Sequence, residues 1–568
     1  MAISTVIDAL PEGSEALARE CAGQNFFAID QSLQDLLALY MPDGLRTHMW
    51  PHFDRLGKLA GGHLDELART AENHAPVLHP RDRFGRDREW IEYHPAYREM
   101  ERYFFGEFGM HAMSHRPGVL GWDRRPVPAI AKYTFQYLFV QAEFGLMCPV
   151  SVSDTSAFML NTFGDEALKR KFLPGMLSQD MDTLLRGTQF MTEKAAGSDV
   201  GRIESEAVME NGEWRVYGEK WFCSHADADV AMMLSRPQGA GAGTRGLAVF
   251  LLPRHLENGE RNRYRIVRLK DKMGTRSMAS GEIRLEGALV HPVGDLSRGL
   301  KQMMEQVNLS RLSHGVRAAS MMRRCLNEAY AAAFSRQAFG QHIGELPLAA
   351  RELTRMRVRT EQALSTAMFT ASLMDSAGAS STHPDLLRIL TPLFKYGACR
   401  DNIEVATAAM EMRGGNGYIE DWVNSRLVRD AHIGVLWEGT SNINSLDVVQ
   451  RAVGRVGADA ALHEALDERL HNAQIAEPLK QRALMAVDNA VEFARKVAAD
   501  PAHEDLSRRA ARLLYDATGA ALLAAEGAEL AAAGRADTRS QLADWLLRAT
   551  LEPRDPYALE TAGFGSGD

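Results

Sequence analysis

The chain has 568 residues, 45% hydrophobic and 24% charged, with a formal net charge of -9. That length exceeds one ordinary core, so several domains are expected, and the acidic balance offers no global basic field for nucleic acid. Five scattered cysteines, Cys21, Cys148, Cys223, Cys325 and Cys399, form no C-x-x-C pair and fit free thiols in a reducing compartment better than a disulfide framework or a zinc site.

The opening MAISTVIDALPEGSEA has no basic start and no long apolar run, so no secretory signal is read there and a cytoplasmic location is expected. To about residue 185 the pattern is helical, as in Leu33, Leu36, Leu37 and Tyr40. Residues 74–99, rich in His, Pro, Arg and Asp, read as a long irregular connection. The stretch from Tyr133 to Ser153 carries little charge but contains Gln136, Gln141, Glu143 and Pro149; it reads as buried helix, not membrane span. From near Thr188 to about 296, short apolar runs separated by glycine-rich or polar turns predict a compact β domain. Leu353, Met356, Thr360, Leu364, Ala367, Ala371 and Met374 then share one helical face, which predicts a helical bundle. After about 451 an alanine-rich helical piece ends in GFGSGD. The expected fold class is α+β, mostly α. Its expected domains are N-terminal helical (1–185), central β (186–296), C-terminal helical bundle (297–450) and an extra helical domain (451–568).

Four segments carry chemistry. Phe190–Gly201, FMTEKAAGSDVG, opens the β domain. Its small residues let backbone approach a ligand, and Thr192 and Ser198 offer hydroxyls; an ordinary Gly-Ser loop explains the same letters. Lys220–His225, KWFCSH, ends a strand. Its aromatic pair suits a flat cofactor, and equally a core Trp and Phe. Gly414–Tyr418, GGNGY, follows helix rather than strand, so it reads as a helix C-terminus and not a dinucleotide fingerprint. The Gly239–Gly246 run is expected to be a hairpin loop. In Leu436–Ile443, LWEGTSNI, Glu438 sits between Trp437 and Gly439. A carboxylate beside an apolar ring loses solvation and becomes a stronger base; Thr440 or Ser441 starting a helix is the compatible structural reading. H-E-x-x-H, G-x-S-x-G and P-loop patterns are absent from the sequence, and no metal is expected.

In this order, and with SRQAFGQHI at 335–343, the segments resemble the acyl-CoA dehydrogenase family over roughly residues 120–450. The resemblance implies an N-terminal helical domain, a β domain and a four-helix bundle, assembled as a homotetramer with FAD between β domain and bundle. It implies that Met191, Thr192, Gly197 and Ser198 line the flavin and pyrophosphate, and that Trp221, Phe222 and Ser224 border the isoalloxazine. Arg336, Phe339 and Gln341 would reach the FAD of a neighbouring subunit. Glu411 and Gly415 would approach its adenine end, and Trp437, Thr440 and Asn442 would hold it near Glu438. Glu438 would remove the proton next to an acyl-CoA thioester carbonyl while hydride passes to flavin N5, giving an enoyl thioester. An electron-transfer flavoprotein would accept the electrons.

Departures point to one branch. Lys194, Glu411 and Asn442 replace the family's usual Pro, Gln and Gln, and a tail of about 115 residues is added. These features, with DRFGRDREWIEYHPAY (82–97), MCPVSVS (147–153), RLKDKMGTRSMAS (268–280) and SRLSHG (310–315), resemble the AidB-type adaptive-response flavoproteins. Arg311 is a candidate substrate contact near the base. That branch implies a rival function: weak dehydrogenase activity with DNA binding or protection through the tail. From Gly454 to Asp568, however, 13 Lys+Arg face 19 Asp+Glu, and Arg508, Arg509 and Arg512 are interleaved with Glu504, Asp505 and Asp516. This charge disfavours DNA. A nitroalkane-oxidase-like flavoenzyme is the remaining alternative; that chemistry uses a shorter acid than Glu438.

Overall fold

A computed structural model describes residues 17–375, 383–555 and 557. The MAISTVIDALPEGSEA start and the GFGSGD tail lie outside the described residues. The chain divides into two compact units: residues 62–128 with 142–310, and residues 1–61 with 129–141 and 311–568.

The first unit carries the strands. Val77–Arg81 (β1) and Asp87–Glu92 (β2) pair antiparallel. Residues 74–99 are therefore not the irregular connection expected from composition. Asp82 accepts the N–H groups of Phe84 and Arg86, which closes the turn. His79 lies opposite Trp90 and stacks on it at 4.2 Å. The hairpin's outward face is so polar that its alternation does not stand out in the sequence.

The main sheet comprises Gly187–Phe190 (β3), Glu206–Glu210 (β4), Glu213–Ser224 (β5), Val230–Pro237 (β6), Ala248–Pro253 (β7), Tyr264–Leu269 (β8) and Ser280–Pro292 (β9). Its order is β3-β6-β4-β5-β9-β7, with β8 on β9, and β7 also pairs with β6, so five strands close a ring. β6 and β7 are apolar runs buried along nearly their whole length, and they join antiparallel across the Gly239–Gly246 loop, as the sequence predicts. Met159 and Leu160 of the Met147–Phe163 helix form one core with Met232, Leu234, Val249 and Leu251. Each such side chain contributes on the order of 2 kcal/mol of burial.

The second unit is helical. Ala129–Val140 is buried from Ile130 onward. Tyr133–Ser153 is thus the end of one buried helix and the start of another, Met147–Phe163. Among the described residues no helix is long and apolar enough to cross a membrane. The Gly299–Ser335 helix (from Arg311), Pro347–Asp375 and Pro384–Arg413 are the long bundle helices. Ser507–Ala532 from the tail packs among them, with Leu514–Ala528 buried without a break. Buried ion pairs tie the tail in. Arg539, 3% exposed, meets Glu361 of the bundle at 2.9 Å and Glu526 at 2.9 Å, and Arg323 joins Glu361 (2.6 Å) to Asp30 (3.1 Å). Burial alone would raise the Glu361 carboxyl, but Arg323 and Arg539 hold it down at about 2. Within the Arg508, Arg509 and Arg512 cluster, Arg512 is tied to Asp401 and Asp516, while Arg508 and Arg509 are exposed.

The molecule is α+β and mostly α: N-terminal helices, a central β region, a helical bundle and an additional helical C-terminal region.

Candidate active site

In the β-bearing unit the residues expected at a flavin gather around the end of β5. A bulge between Lys220 and Cys223 interrupts the pairing of β5 with β9. Lys220 and Cys223 point inward and are buried, while Trp221 is half-buried and Phe222 is 58% exposed. The reading of Trp221 and Phe222 as core residues therefore fails. Lys270 sets its ammonium 3.2 Å from the Trp221 ring centre and 4.9 Å from that of Phe222.

The loop after β3 is held from beneath. Lys220 bonds Glu193 Oε1 at 2.7 Å and the Leu234 carbonyl at 2.6 Å, and Glu193 accepts the N–H groups of Glu204 and Ser205. Burial lowers the Lys220 ammonium, and Glu193 partly restores it. Trp221 N–H donates to the Thr192 carbonyl at 2.9 Å, which joins loop to strand. With Glu193 turned inward, Met191 and Thr192 are half-buried, and Gly197 and Ser198 are exposed. A Cβ on Gly197 would meet no protein atom within 4 Å, so the open space there is not needed for packing within the chain. Ser224 is half-buried, and its carbonyl accepts Thr188 Oγ1 at 2.6 Å.

In the helical unit Glu438 lies between the 3-10 turn His432–Val435 and the helix Ser441–Leu446. Thr440 is that helix's N-cap, its hydroxyl 3.5 Å from the Ile443 N–H, as the helix-start reading anticipates. Glu438 has φ of 52° and Gly439 of 94°. A left-handed non-glycine residue costs about 1–2 kcal/mol and persists only where its surroundings hold it. Here they do. Arg311 Nε donates to the Glu438 carbonyl (3.1 Å), Lys395 Nζ to the Gly439 carbonyl (2.6 Å), and Asn444 Nδ2 to the Gly439 and Thr440 carbonyls (2.6 and 3.0 Å). Asp447 grips Arg311 at 2.6 Å and Arg388 at 2.7 Å. Burial would raise the Asp447 carboxyl, but Arg311 and Arg388 outweigh it and hold it low. Burial draws the Arg311 guanidinium below its usual range, against the pull of Asp447 and Glu438. Burial likewise draws Lys395 down to about 8. His314 is packed 5.4 Å from the half-buried Trp437, and burial keeps its imidazole neutral.

The other expected cofactor residues of this unit are exposed. Arg336, Phe339 and Gln341 sit on a hairpin of Gln337–Ala338 with Gln341–His342; Phe339 (φ 53°) and Gly340 (φ 83°) form its turn, and Phe339 is 95% exposed. GGNGY follows the Pro384–Arg413 helix as a 3-10 turn, the glycine-terminated helix end expected of it, with Gly414 at φ 73°. A Cβ on Gly414 would lie 3.6 Å from Arg336 Nη1, so these two motifs adjoin. Glu411, Gly415 and Asn442 are exposed.

Sequence reasoning did not find Lys220, Glu193, Lys395, Arg388, Asn444 or Asp447. The available signal for Lys395 was a single charge inside ILTPLFKYGA, and for Lys220 a charge directly before two aromatics.

Three family descriptions match the chain: the AidB adaptive-response N-terminal domain over residues 17–183, the acyl-CoA dehydrogenase middle domain over 188–288 and the acyl-CoA dehydrogenase C-terminal domain over 297–454. The chain is 31% identical to the putative acyl-CoA dehydrogenase AidB of Escherichia coli, covering 71% of this chain and 74% of that protein. It is 29% identical to acyl-CoA dehydrogenase family member 11 of Caenorhabditis elegans, covering 83% and 78%. The crystal structure of C. elegans ACDH-11 in complex with C11-CoA superposes with a TM-score of 0.85 at 25% identity, covering 96% of this chain and 94% of that one. The apo form of Bd2924 gives 0.80 at 28%, covering 91% and 100%. The chain belongs to the acyl-CoA dehydrogenase family, in its AidB-type branch.

Proposed function

We propose that this protein is an FAD-dependent acyl-CoA dehydrogenase that removes hydrogen from the two carbons next to an acyl-CoA thioester, with Glu438 as the base. One observation carries the reading: Glu438 is held in a left-handed turn by side chains from three separate helices. A surface glutamate has no need of such a device, whereas a base that must meet one particular proton does.

The residues fit FAD. Gly197 leaves open room beside exposed Ser198 for a phosphate-bearing chain, and the edge of β5 presents Trp221, Phe222 and Ser224 outward. Met191 and Thr192 are assigned to the same cofactor, as are Glu411, Gly415, Trp437, Thr440 and Asn442. Bound FAD would supply the hydride acceptor. The chain's own part is proton removal. The Glu438 carboxylate takes the proton from the carbon next to the thioester carbonyl, and its backbone N–H would meet the oxygen that gains charge. Arg311 and Lys395 already engage the Glu438 and Gly439 carbonyls, which keeps both peptide planes from turning as charge develops.

Phe339, 95% exposed on a two-residue turn, supports assembly in which Arg336, Phe339 and Gln341 reach a second copy; a homotetramer is proposed. An electron-transfer flavoprotein is the proposed acceptor and the cytoplasm the proposed location. The test is anaerobic titration of the purified protein with short, branched and long acyl-CoAs. The reading requires bound flavin and its bleaching by at least one of them; a protein that neither holds nor takes up FAD contradicts it.

A further inference from the structure

Lys395 is 1% exposed at the middle of the Pro384–Arg413 helix. Lysine is almost never that deeply buried without an ionic partner. Yet among the described residues the hydrogen-bond acceptor of its ammonium is a neutral carbonyl, that of Gly439, at 2.6 Å. Around it, Arg311 on the Gly299–Ser335 helix opposes the ammonium, while Cys399 and Glu438 favour it; burial outweighs them. Packing alone would be better served by methionine at this position.

The carbonyl it grips is the hinge of the base turn. Glu438 and Gly439 have successive positive φ values, and their two carbonyls are held from different directions. Arg311 comes from the Gly299–Ser335 helix and Lys395 from the Pro384–Arg413 helix. Asn444 also holds Gly439, but it belongs to the helix that Thr440 begins and moves with the turn. The Lys395 contact therefore references the turn to the bundle, where Asn444 only closes it.

We propose that Lys395 is a positioning residue for Glu438, its ammonium fixing the Gly439 carbonyl and thereby the direction of the Glu438 carboxylate. The inference rests on the reading of Glu438 as the base. It predicts a specific division of effects. Without the ammonium, Asn444 still closes the turn, so the chain folds and binds its ligands. The carboxylate then loses its aim, and a displacement near 1 Å costs about 100-fold in a proton transfer.

The test uses the flavin-loaded, full-length enzyme as Lys395→Ala and Lys395→Met, with Glu438→Gln alongside. Anaerobic stopped-flow reduction is driven by an acyl-CoA that bleaches the wild type. Flavin content should be retained and the acyl-CoA Kd should stay within about twofold, while the reduction rate constant falls roughly 10–100-fold. Propylammonium should restore part of the rate of Lys395→Ala, and propanol, of equal bulk, should not. If Lys395→Ala does not fold, the near-isosteric Lys395→Met decides on rate alone. Wild-type reduction rates in the Lys395 variants, or a loss confined to Kd, overturn the inference; an inactive Glu438→Gln in the same experiment leaves the base assignment standing. Glu438→Gln reducing as fast as wild type overturns the base assignment itself.

Discussion

Arg311 donates its Nε–H to the backbone carbonyl of Glu438 at 3.1 Å, so a buried cation touches the main chain of the candidate base. Asp447 at 2.6 Å fixes the other arm of Arg311. The candidate base is therefore connected to the bundle through its peptide groups. Arg311, a candidate substrate contact on sequence grounds, also holds Asp447 and the Glu438 backbone.

Asp447→Asn should destabilise the protein and slow flavin reduction together. It leaves Arg311 and Arg388 facing each other with no carboxylate between them. Removing one partner from a buried pair costs about 3–5 kcal/mol. Replacing Arg311 and Asp447 together by Met and Leu should recover much of the stability and none of the rate. Urea unfolding midpoints with single-turnover reduction rates check both halves.

Lys395→Met should be at least as stable as wild type at pH 7, and its advantage should shrink as pH rises. Burial draws Lys395 from 10.5 to about 8. Between those values the unfolded chain binds a proton that the folded chain releases, so wild-type stability climbs with pH across that window. Below pH 8 the full cost, about 3 kcal/mol, weighs on the wild type alone. Urea midpoints of both proteins at pH 7 and pH 9.5 measure the gap; a gap that does not change with pH contradicts the assignment.

Arg539→Met should loosen the C-terminal region and flatten the dependence of stability on acid pH. Glu361 is held at about 2 by Arg323 and Arg539 against its own burial. A depressed carboxyl contributes stability that is complete above about 4.5 and is lost as pH falls toward 2. With Arg539 gone, the folded-state carboxyl moves back toward its usual range, so the variant is already less stable at pH 7 and loses less further stability between about 4.5 and 2. Urea midpoints followed by tryptophan fluorescence at pH 7 and pH 3 measure the gap between the two proteins, which should be larger at pH 7; Trp545 lies close to the altered contact in sequence.

Much of this was legible in the sequence because it rests on local chemistry. The apolar runs of β6 and β7 around a glycine-rich loop, the glycine-ended helix before GGNGY and the Thr440 cap each depend on a few adjacent residues. The β1–β2 hairpin was not legible because its strands are joined by cross-strand pairs such as His79 with Trp90 and carry Pro80 and many charges. Trp221 and Phe222 could not be placed because the bulge that turns Phe222 outward is set by the partner strand β9. Lys395 and Asp447 act on residues 44 and 136 positions away, so nothing in their own neighbourhoods names their partners. The candidate base was legible in LWEGTSNI; the side chains that hold its turn came only from the structure.

The most direct measurement is anaerobic flavin reduction by an acyl-CoA in wild type and in Glu438→Gln. The account requires the wild type to bleach and the variant, still yellow and still binding the acyl-CoA, to lose at least about 100-fold in reduction rate. Equal bleaching by both proteins would mean that another group takes the proton, and the role assigned to Glu438 would be wrong.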